Sequence, residues 1–330
     1  GTNCIHLQQT HEVVKLMRDL LDMVTPDVVL LTETNVPHEE NISYFGDGDE
    51  AHMVYQFSLP PLLLHALMNG DSSHLTTWAS SLDALPESCT YLNFTASHDG
   101  IGVRPLQGII PDEELLRLAE KVKALGGHVS SKANSDGSES PYELNITYFD
   151  ALGDDPDTVT DLHLARFLCS QTVAMELRGV PAVYFHSFVA TRNNQAGVKE
   201  SGRARTINRR KWQEEELESI LADARSPGSR VMKEYIRRLQ FRSQHKVFHP
   251  DAAQEIVDLG SNLFVVRRER GGERVVCISN FTDQYMELKI DDRLFGPNQA
   301  AHCSDILTGR RYMGEEKLIA LDAYQTVWLQ

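Results

Sequence analysis

Short apolar runs alternate with amphipathic stretches over residues 1–250, which is the pattern of strands followed by helices. The apolar runs predict strands at Val28–Leu31, Met53–Leu59, Thr90–Phe94 and Val180–Phe185. Apolar residues at helical spacing predict helices over Thr10–Val24, Pro61–Met68, Pro111–Leu125, Val159–Leu177 and Val231–Gln244. We therefore expect an α/β fold built from about four strand–helix units.

The polar stretches between these elements predict long loops. Pro37–Glu50, His128–Pro141 and His186–Arg210 are rich in turn-forming and charged residues. His128–Pro141 is the richest in serine and glycine, so we expect a mobile loop there. The uninterrupted apolar run Val28–Leu31 predicts a strand that is buried on both faces of a parallel sheet.

The pattern changes near residue 250, where short alternating segments are separated by turn residues. These segments predict a small antiparallel β domain over 251–330, with strands at Asn262–Arg267, Arg274–Ser279, Tyr285–Ile290, Lys317–Leu321 and Ala323–Leu329. A complete (β/α)8 barrel has eight strand–helix units in about 250 residues or more. Residues 1–250 therefore predict a partial barrel with long loops, which leaves two sheet edges open.

Composition narrows the classes of function. The chain has 330 residues and a formal net charge of −15, which disfavours binding to nucleic acid or to an anionic membrane. Its five cysteines form no Cys-x-x-Cys pair, which argues against a zinc site and a disulfide framework and indicates a reducing, cytoplasmic location. The first residue is Gly1 rather than Met, so we expect the N-terminus to be a cut through a longer protein.

Carboxylates follow the predicted strands at the positions where barrel enzymes place their active sites. Glu33 follows the first strand, the pair His98-Asp99 follows the third, and Glu143 follows the predicted mobile loop. Reaction at a sugar acetal needs an acid for the leaving oxygen and, with retention, a carboxylate nucleophile. We expect Glu33 and Asp99 to lie on neighbouring barrel units and to face one pocket. Solvated loop carboxylates would give the same pattern.

Two motifs carry a resemblance to the α-amylase superfamily (glycoside hydrolase family 13). The segment Leu31–Asn35 resembles the fifth-strand motif of that superfamily, and Asn93–Gly100 resembles its seventh-strand motif. The continuation Asp99–Gly102 is similar to the sucrose-phosphorylase group, which includes glucosylglycerate phosphorylases. Further similar segments follow in the expected order, namely Leu59–Leu67, Pro141–Asn145, Gly179–Tyr184 and Arg205–Arg209. The resemblance implies the C-terminal half of a (β/α)8 barrel, strands 5–8, before the β domain.

The resemblance also implies residue roles. Glu33 would be the general acid/base, while His98 and Asp99 would hold the glucosyl ring, with Asp99 stabilising the transition state. Arg205 would contact the donor glucose, and Tyr142 with Glu143 would shape the phosphate and acceptor site. Sucrose phosphorylases carry Gln in place of Glu143, which favours glucosylglycerate, glucosylglycerol or sucrose 6′-phosphate as the substrate.

One superfamily motif is missing from the sequence. The nucleophile is an Asp in an Arg-x-Asp-Ala context at the end of the fourth strand, and no such motif occurs here. We therefore expect a fragment of a retaining α-glucoside phosphorylase, a glycosyltransferase that transfers glucose to phosphate, and expect this chain alone to be inactive. The alternatives are a hydrolase or transglucosidase of the superfamily, or a non-catalytic sugar-binding protein.

The remaining expectations concern ligands. The implied partners are a small sugar substrate and inorganic phosphate, with no cofactor and no metal site, since the acidic loop Asp47–Glu50 lacks the spacing of a calcium loop. Tyr44 or Phe45 would stack on a sugar ring. Glucosylglycerate is the preferred substrate, and an anionic acceptor would be met by a cation among Arg104, Lys132, Arg192 and Arg203. The sequence does not indicate the oligomeric state.

Overall fold

The computed structural model describes residues 4–133, 137–290, 292–295, 303–312 and 318–330. Two residues named in the sequence analysis lie outside these ranges. They are Gly1, at which we expected a cut through a longer protein, and Lys317, the first residue of the predicted strand Lys317–Leu321. The helices are α1 (Gln8–Val24), α2 (His38–Ile42), α3 (Leu59–Asn69), α4 (Ser73–Ser80), α5 (Asp112–Ala124), α6 (Tyr148–Ala151), α7 (Asp161–Glu176), α8 (Phe185–Phe188), α9 (Gln195–Ser201), α10 (Glu214–Ala222), α11 (Pro227–Gln244) and α12 (Asp292–Phe295).

The strands are mostly short. They are β1 (Leu31–Thr32), β2 (Met53–Tyr55), β3 (Thr90–Asn93), β4 (Ile101–Gly102), β5 (His128–Ala133), β6 (Glu139–Asn145), β7 (Val180–Pro181), β8 (Ala253–Ile256), β9 (Leu263–Arg270), β10 (Glu273–Asn280), β11 (Met286–Lys289), β12 (Cys303–Ser304), β13 (Arg311–Tyr312), β14 (Leu318–Leu321) and β15 (Thr326–Leu329). Single turns of 3-10 helix occur at Ser43–Phe45, Arg104–Leu106, Ala204–Asn208 and Lys246–Phe248.

A parallel sheet organises the first part of the chain. Its strand order is β1-β2-β3-β7, and each neighbouring pair is parallel. Helices fill the connections, and α3 and α7 bury most of their residues. The expected alternation of strands and helices is therefore present. All four strands end at the same edge of the sheet, which brings the segments that follow them together.

Local sequence explains where the main helices begin and end. In α3 the prolines Pro60 and Pro61 occupy the first turn, where their missing N–H groups cost nothing, and Gly70 ends the helix at positive φ. In α5 three acidic residues lie in the first turn, while Lys121 and Lys123 lie in the last, as the helix dipole favours. The hydroxyl of Thr160 caps α7 by accepting the N–H of His163.

The predicted mobile loop over His128–Pro141 is wrong for the residues that the structure describes. They form the hairpin strands β5 and β6, and β6 also pairs with β4 on its other side. The serine-rich composition suggested a loop, but strand pairing satisfies the backbone, and Leu144 anchors β6 in the core. A three-stranded antiparallel sheet of order β4-β6-β5 results.

The prediction that Val28–Leu31 is a strand buried on both faces is also wrong. Only Leu31–Thr32 forms a strand, and Val28, Val29 and Leu31 are exposed. These side chains are exposed because β1 lies at an edge of the parallel sheet and α1 buries none of its residues. The exposed side chains Val13, Leu16, Met17, Leu20 and Val24 leave α1 with an uncovered apolar face.

The last part of the chain is antiparallel, as expected. Its main sheet has the order β15-β10-β9-β8, with the smaller pairs β11–β14 and β12–β13 beside it. The β9–β10 hairpin turns at Gly271 and Gly272, whose φ angles of +61° and +82° suit a two-residue type I′ turn. The strand β8 was not predicted from the sequence.

The two parts share one apolar core and a set of buried polar contacts. Trp328 and Phe264 of the β sheet belong to the same buried cluster as the leucines of α3. The fully buried Arg268 donates to the carbonyl oxygens of Glu176 at 2.7 Å and His249 at 3.0 Å. The indole Nε1 of Trp328 donates to Glu176 Oε1 at 2.6 Å. The carboxyl group of Glu176 thus lies between α7 and β15.

Burial of Glu176 makes stability depend on pH. Burial raises the pKa of Glu176 to about 8 from 4.5, and the bond from Trp328 opposes this only in part. Because the unfolded state releases this proton first, the stabilisation is fully present below pH 4.5 and is lost as pH rises towards 8. We expect the stability of wild type relative to Glu176→Gln to fall by up to about 1.4 kcal/mol per pH unit in that window. Urea unfolding at several pH values measures it, and a pH-independent difference would contradict it.

The apolar face of α1 predicts the behaviour of the isolated chain. We expect the chain to bind a hydrophobic dye and to self-associate, because this face has no cover within the described residues. Leu16→Glu should lower dye fluorescence at least about twofold, since a charge interrupts the patch. Leu116→Glu on α5 is the matched control, because Leu116 is similarly exposed, at 54% against 57% for Leu16. Equal effects of the two changes would show that α1 is not the responsible surface.

Candidate functional site

The site lies at the edge of the parallel sheet where its strands end. Glu33 directly follows β1, Tyr55 is the last residue of β2, and Asp99 lies in the loop after β3. Because β2 separates β1 from β3, Glu33 and Asp99 are not on neighbouring strands as expected. The sheet places their segments at the same edge, with one strand between them, which corresponds to about 10 Å between the two strand axes.

Arg205 connects two of the expected carboxylates. Its Nε donates to Glu143 Oε1 at 2.9 Å, its Nη2 donates to Glu143 Oε2 at 2.5 Å, and its Nη1 donates to Asp99 Oδ1 at 2.9 Å. The Glu143 side chain is 4% exposed, whereas that of Arg205 is 45% exposed. The hydrogen bonds from its guanidinium to Glu143 raise the pKa of Arg205. The structure therefore brings Asp99, Glu143 and Arg205 into direct contact.

A second arginine holds the same carboxylate. Arg209 Nη2 donates to Asp99 Oδ1 at 2.9 Å, and its Nε donates to the carbonyl oxygen of His98 at 2.6 Å. The amide of Asn208 donates to the carbonyl oxygens of Ser97 and Asp99 at 2.6 and 3.1 Å. Among the described residues, no hydrogen bond is made to Asp99 Oδ2. The loop is thus fixed at its backbone and at one carboxylate oxygen.

His98 and Tyr142 lie at the margin of this cluster. The imidazole of His98 is 63% exposed, and its Nε2 lies 3.8 Å from Asp99 Oδ1, too far for a hydrogen bond. Tyr142 is fixed through its carbonyl oxygen, which accepts the N–H of Val103 at 3.1 Å. Its side chain lies near enough to Arg205 to contribute to the raised pKa of that group.

Two glycines of the Asp99–Gly102 motif make room for side chains from other elements. A Cβ at Gly100 would lie 2.6 Å from Glu143 Cγ, and a Cβ at Gly102 would lie 2.4 Å from Asn35 Nδ2. Asn35 belongs to the segment after β1 that carries Glu33. The glycines therefore allow the loop after β3 to contact both the Glu143 side chain and the Glu33 segment.

A buried amide positions the Glu33 segment from the other side. The Thr34 hydroxyl donates to Asn41 Oδ1 at 2.8 Å, and Asn41 Nδ2 donates to the Tyr55 carbonyl oxygen at 2.7 Å. Burial raises the pKa of Tyr55, and the nearby charge of Glu33 raises it further. Asn41 therefore ties the segment after β1 to the end of β2, with Glu33 beside Tyr55.

Several residues named from the sequence are occupied elsewhere. Tyr44 and Phe45 are buried in a cluster with Val54 and Tyr91, so they are not available to stack on a sugar. Arg192 pairs with Asp150 and also donates to a backbone carbonyl, so it serves a structural network. Among the remaining cation candidates, Arg104 lies 3.7 Å from Glu40, Lys132 is in β5 and Arg203 is exposed.

The described residues contain no group of three or more metal-ligating side chains placed to hold a metal ion. In the acidic loop, Asp49 pairs with Lys15 at 2.9 Å and Glu50 lies 2.7 Å from His11 Nδ1. These contacts attach the loop to α1. No helix among the described residues is long and apolar enough to cross a membrane.

Sequence reasoning gave no role to Arg209, Asn208 or Asn41. Arg209 and Asn208 stand in the quoted segment Arg205–Arg209, so their signal was present but only Arg205 received a role. The contacts of Asn41 link residues far apart in sequence, which spacing does not reveal.

Comparison with known proteins identifies relatives for the whole chain, although no family model matches. Curated glucosylglycerate phosphorylases from Allomeiothermus silvanus and Escherichia coli are 43% and 39% identical over 331 and 332 residues, and each covers 100% of this chain. A sucrose phosphorylase from Bifidobacterium adolescentis is 29% identical over 67% of the chain. The chain spans about half the length of these relatives, 56% and 57% of the first two.

Solved structures show the same fold. A sucrose 6F-phosphate phosphorylase from Thermoanaerobacter thermosaccharolyticum superposes with a TM-score of 0.70 over 85% of this chain and 53% of that one, at 20% identity. An α-amylase from H. orenii gives a TM-score of 0.64 over 97% of this chain and 57% of its own, at 13% identity. The chain has a partial amylase-like α/β fold, and its resemblance to the sucrose-phosphorylase group of the α-amylase superfamily is confirmed.

Close packing at Gly100 predicts the cost of adding a methyl group there. We expect Gly100→Ala to destabilise the chain by about 1–3 kcal/mol, because its Cβ would overlap the buried Glu143 side chain. Glu143→Ala should remove this overlap, so the loss on Gly100→Ala should be smaller in that background. Denaturant unfolding of the two single variants and the double variant measures the coupling, and strict additivity would contradict the proposed contact.

Proposed function

We propose that this chain is the C-terminal half of a retaining α-glucoside phosphorylase. Residues 1–250 supply strands 5–8 of a (β/α)8 barrel, and residues 251–330 form the small β domain that follows it. The parallel order β1-β2-β3-β7 and the coverage of about half of each relative support this assignment. The open edge at β1 and the exposed face of α1 are the surfaces that the other half would cover.

The observation that carries the proposal is the Asp99 carboxylate held on one oxygen by two arginines. Arg205 and Arg209 both donate to Oδ1, which fixes the carboxylate and leaves Oδ2 to accept sugar hydroxyl groups. A carboxylate fixed in this way is preorganised for the positive charge that develops on a glucosyl ring during transfer. His98, being exposed beside it, is free to donate to a ring hydroxyl.

Glu33 is assigned the proton transfers. In the first half-reaction its carboxylic acid protonates the glycosidic oxygen as the bond from C1 to that oxygen breaks. The nucleophilic carboxylate that takes C1 is expected in the half that this chain lacks. In the second half-reaction the Glu33 carboxylate removes a proton from phosphate as a phosphate oxygen attacks C1 and displaces the nucleophilic carboxylate, whose bond to C1 breaks. Two inversions give α-glucose 1-phosphate with net retention.

The acceptor proposal rests on relatives and on local charge. The curated relatives that match the whole chain are named glucosylglycerate phosphorylases, so we assign glycerate as the acceptor. Glycerate and phosphate are both anions and favour a site with guanidinium groups. Arg205 and Arg203 lie on the loop that borders the site, and Arg205 has N–H groups beyond the three already used.

Phosphate release tests the function. The chain extended upstream to its natural start is supplied with α-glucose 1-phosphate and with glycerate, fructose or glycerol. We expect phosphate release that depends on the acceptor and is fastest with glycerate. Release of free glucose from an α-glucoside, with no acceptor-dependent phosphate, would instead indicate a hydrolase.

A matched pair of variants tests the acid/base assignment in the same assay. Glu33→Gln should lower turnover by about 10²–10⁴-fold, because the amide cannot exchange a proton with the leaving oxygen. Glu39→Gln is the control, since Glu39 is exposed on α2 a few residues away. Similar rates for the two variants would refute the assignment of Glu33.

A further inference from the structure

A small pocket outside the candidate functional site lies where three helices and a loop meet. The ends of α3 and α5, the loop before α7 and the second turn of α7 form it, and its volume is about 240 Å³. This is below the roughly 300–1,000 Å³ of drug-sized ligand pockets, so it suits a molecule of a few non-hydrogen atoms. The wall combines the apolar residues Met68, Ala124 and Leu125 with the charged residues Lys121, Arg166 and Asp154.

Arg166 brings a buried positive charge to this pocket. Its side chain is 9% exposed, and its Nη1 donates to the carbonyl oxygen of Leu152 at 2.9 Å and to Asp154 Oδ1 at 2.7 Å. The Tyr324 ring lies 4.7 Å from the guanidinium carbon. Its Nε is buried and has no hydrogen-bond partner among the residues that the structure describes. Because an unpaired buried donor is costly, an acceptor atom from a ligand would be favourable here.

Lys121 supplies a second cation with an unused donor. Its Nζ donates to the carbonyl oxygen of Met68 at 3.1 Å and to Asn69 Oδ1 at 3.0 Å, so one of the three N–H groups of the ammonium remains. Burial lowers the pKa of Lys121, and the positive charges of Arg166 and Arg117 lower it further. An anion in the pocket would relieve this repulsion, since an opposite charge favours the ammonium form.

Little negative charge opposes these two cations. Within the described part of the chain, Asp154 is the one acidic residue in the wall, and its carboxylate is 56% exposed and already accepts from Arg166. The wall therefore carries a net positive charge, although the chain as a whole has a formal net charge of −15. A neighbouring pocket that Lys121 also lines contains both Asp71 and Glu114, so it lacks this excess.

We propose that this pocket binds a small organic anion, with a carboxylate or phosphate head group between Lys121 and Arg166 and a short carbon body against Met68, Ala124 and Leu125. Guanidinium and ammonium groups bind such head groups through charge-assisted hydrogen bonds. The pocket shares no residue with the candidate functional site, and all of its wall belongs to this chain. Binding there does not depend on the proposed function.

Lysine side-chain NMR on this chain tests the site without requiring activity. The probes are glycerate and glycerol 3-phosphate, and glycerol is the uncharged ligand with the same carbon body. Each anion should shift the titration of Lys121, assigned from its loss in Lys121→Arg, to higher pH, whereas glycerol should not. Lys123 pairs with Glu120 at 2.8 Å on the same helix and should not respond. The anion that binds more tightly identifies the head group.

A negative charge placed in the wall tests the location. Ala124→Glu should weaken binding of either anion by about tenfold or more, read from the amide resonance of Gly153, because its carboxylate competes for the two cations. Ala124 is exposed, so the change leaves the core intact. Lys123→Glu, next to Ala124 but outside the wall, is the control and should bind within about threefold of wild type.

Three outcomes would overturn the proposal. They are a Lys121 titration that neither anion shifts, a response to glycerol equal to that to the anions, and equal weakening of binding by Ala124→Glu and Lys123→Glu. If the protein proves not to be a phosphorylase, these measurements still decide whether the pocket binds an anion.

Discussion

Parallel pairing of β1, β2, β3 and β7 is the constraint on which the site depends. Parallel strands end at one edge, so residues separated by tens of positions in sequence meet there without any local signal that joins them. Glu33, Tyr55 and Asp99 share this edge because their strands share the sheet. The contacts of Asn35 and Asn41 link the segments that follow the strands to neighbouring parts of the site.

Electrostatic balance is the second feature that the site requires. Asp99 and Glu143 are opposed by Arg205 and Arg209, and hydrogen bonds join each arginine to at least one of the two carboxylates. Arg209 also donates to the carbonyl oxygen of His98. Such a cluster has little reorganisation left to undergo when the proposed sugar substrate binds. The cost is conformational, because Gly100 and Gly102 must remain without side chains for the groups to approach.

The sequence predicted the elements that bury apolar residues and missed those made by long-range pairing. The runs at Met53–Leu59 and Thr90–Phe94 contain β2 and β3, because a buried strand must be apolar. The β5–β6 hairpin was predicted as a loop, because its serines carry no apolar alternation and its order comes from pairing with β4. Val28–Leu31 was predicted to be buried. An apolar run has the same composition at a covered and at an uncovered sheet edge, so the sequence does not distinguish the two.

The residues of the site divide in the same way into those that the sequence revealed and those that it did not. Glu33, His98, Asp99, Arg205, Tyr142 and Glu143 were named through motifs, and the structure brings Asp99, Glu143 and Arg205 into contact. Their partners Arg209 and Asn208 were not given roles, since a hydrogen bond to the backbone of His98 or Ser97 leaves no pattern in spacing. Tyr44 and Phe45 were wrongly chosen for stacking, because an aromatic residue in a polar stretch does not reveal that it is buried.

We propose that this chain carries the acid/base and the sugar-holding carboxylate, while the nucleophile lies in the other half of the barrel. Reconstitution tests it most directly: this chain and the segment that precedes it in its natural protein are produced separately, then assayed alone and mixed for acceptor-dependent phosphate release from α-glucose 1-phosphate. We expect no turnover by either half alone and recovery of turnover on mixing. Turnover by this chain alone would contradict it, because a nucleophile would then be present within the 330 residues.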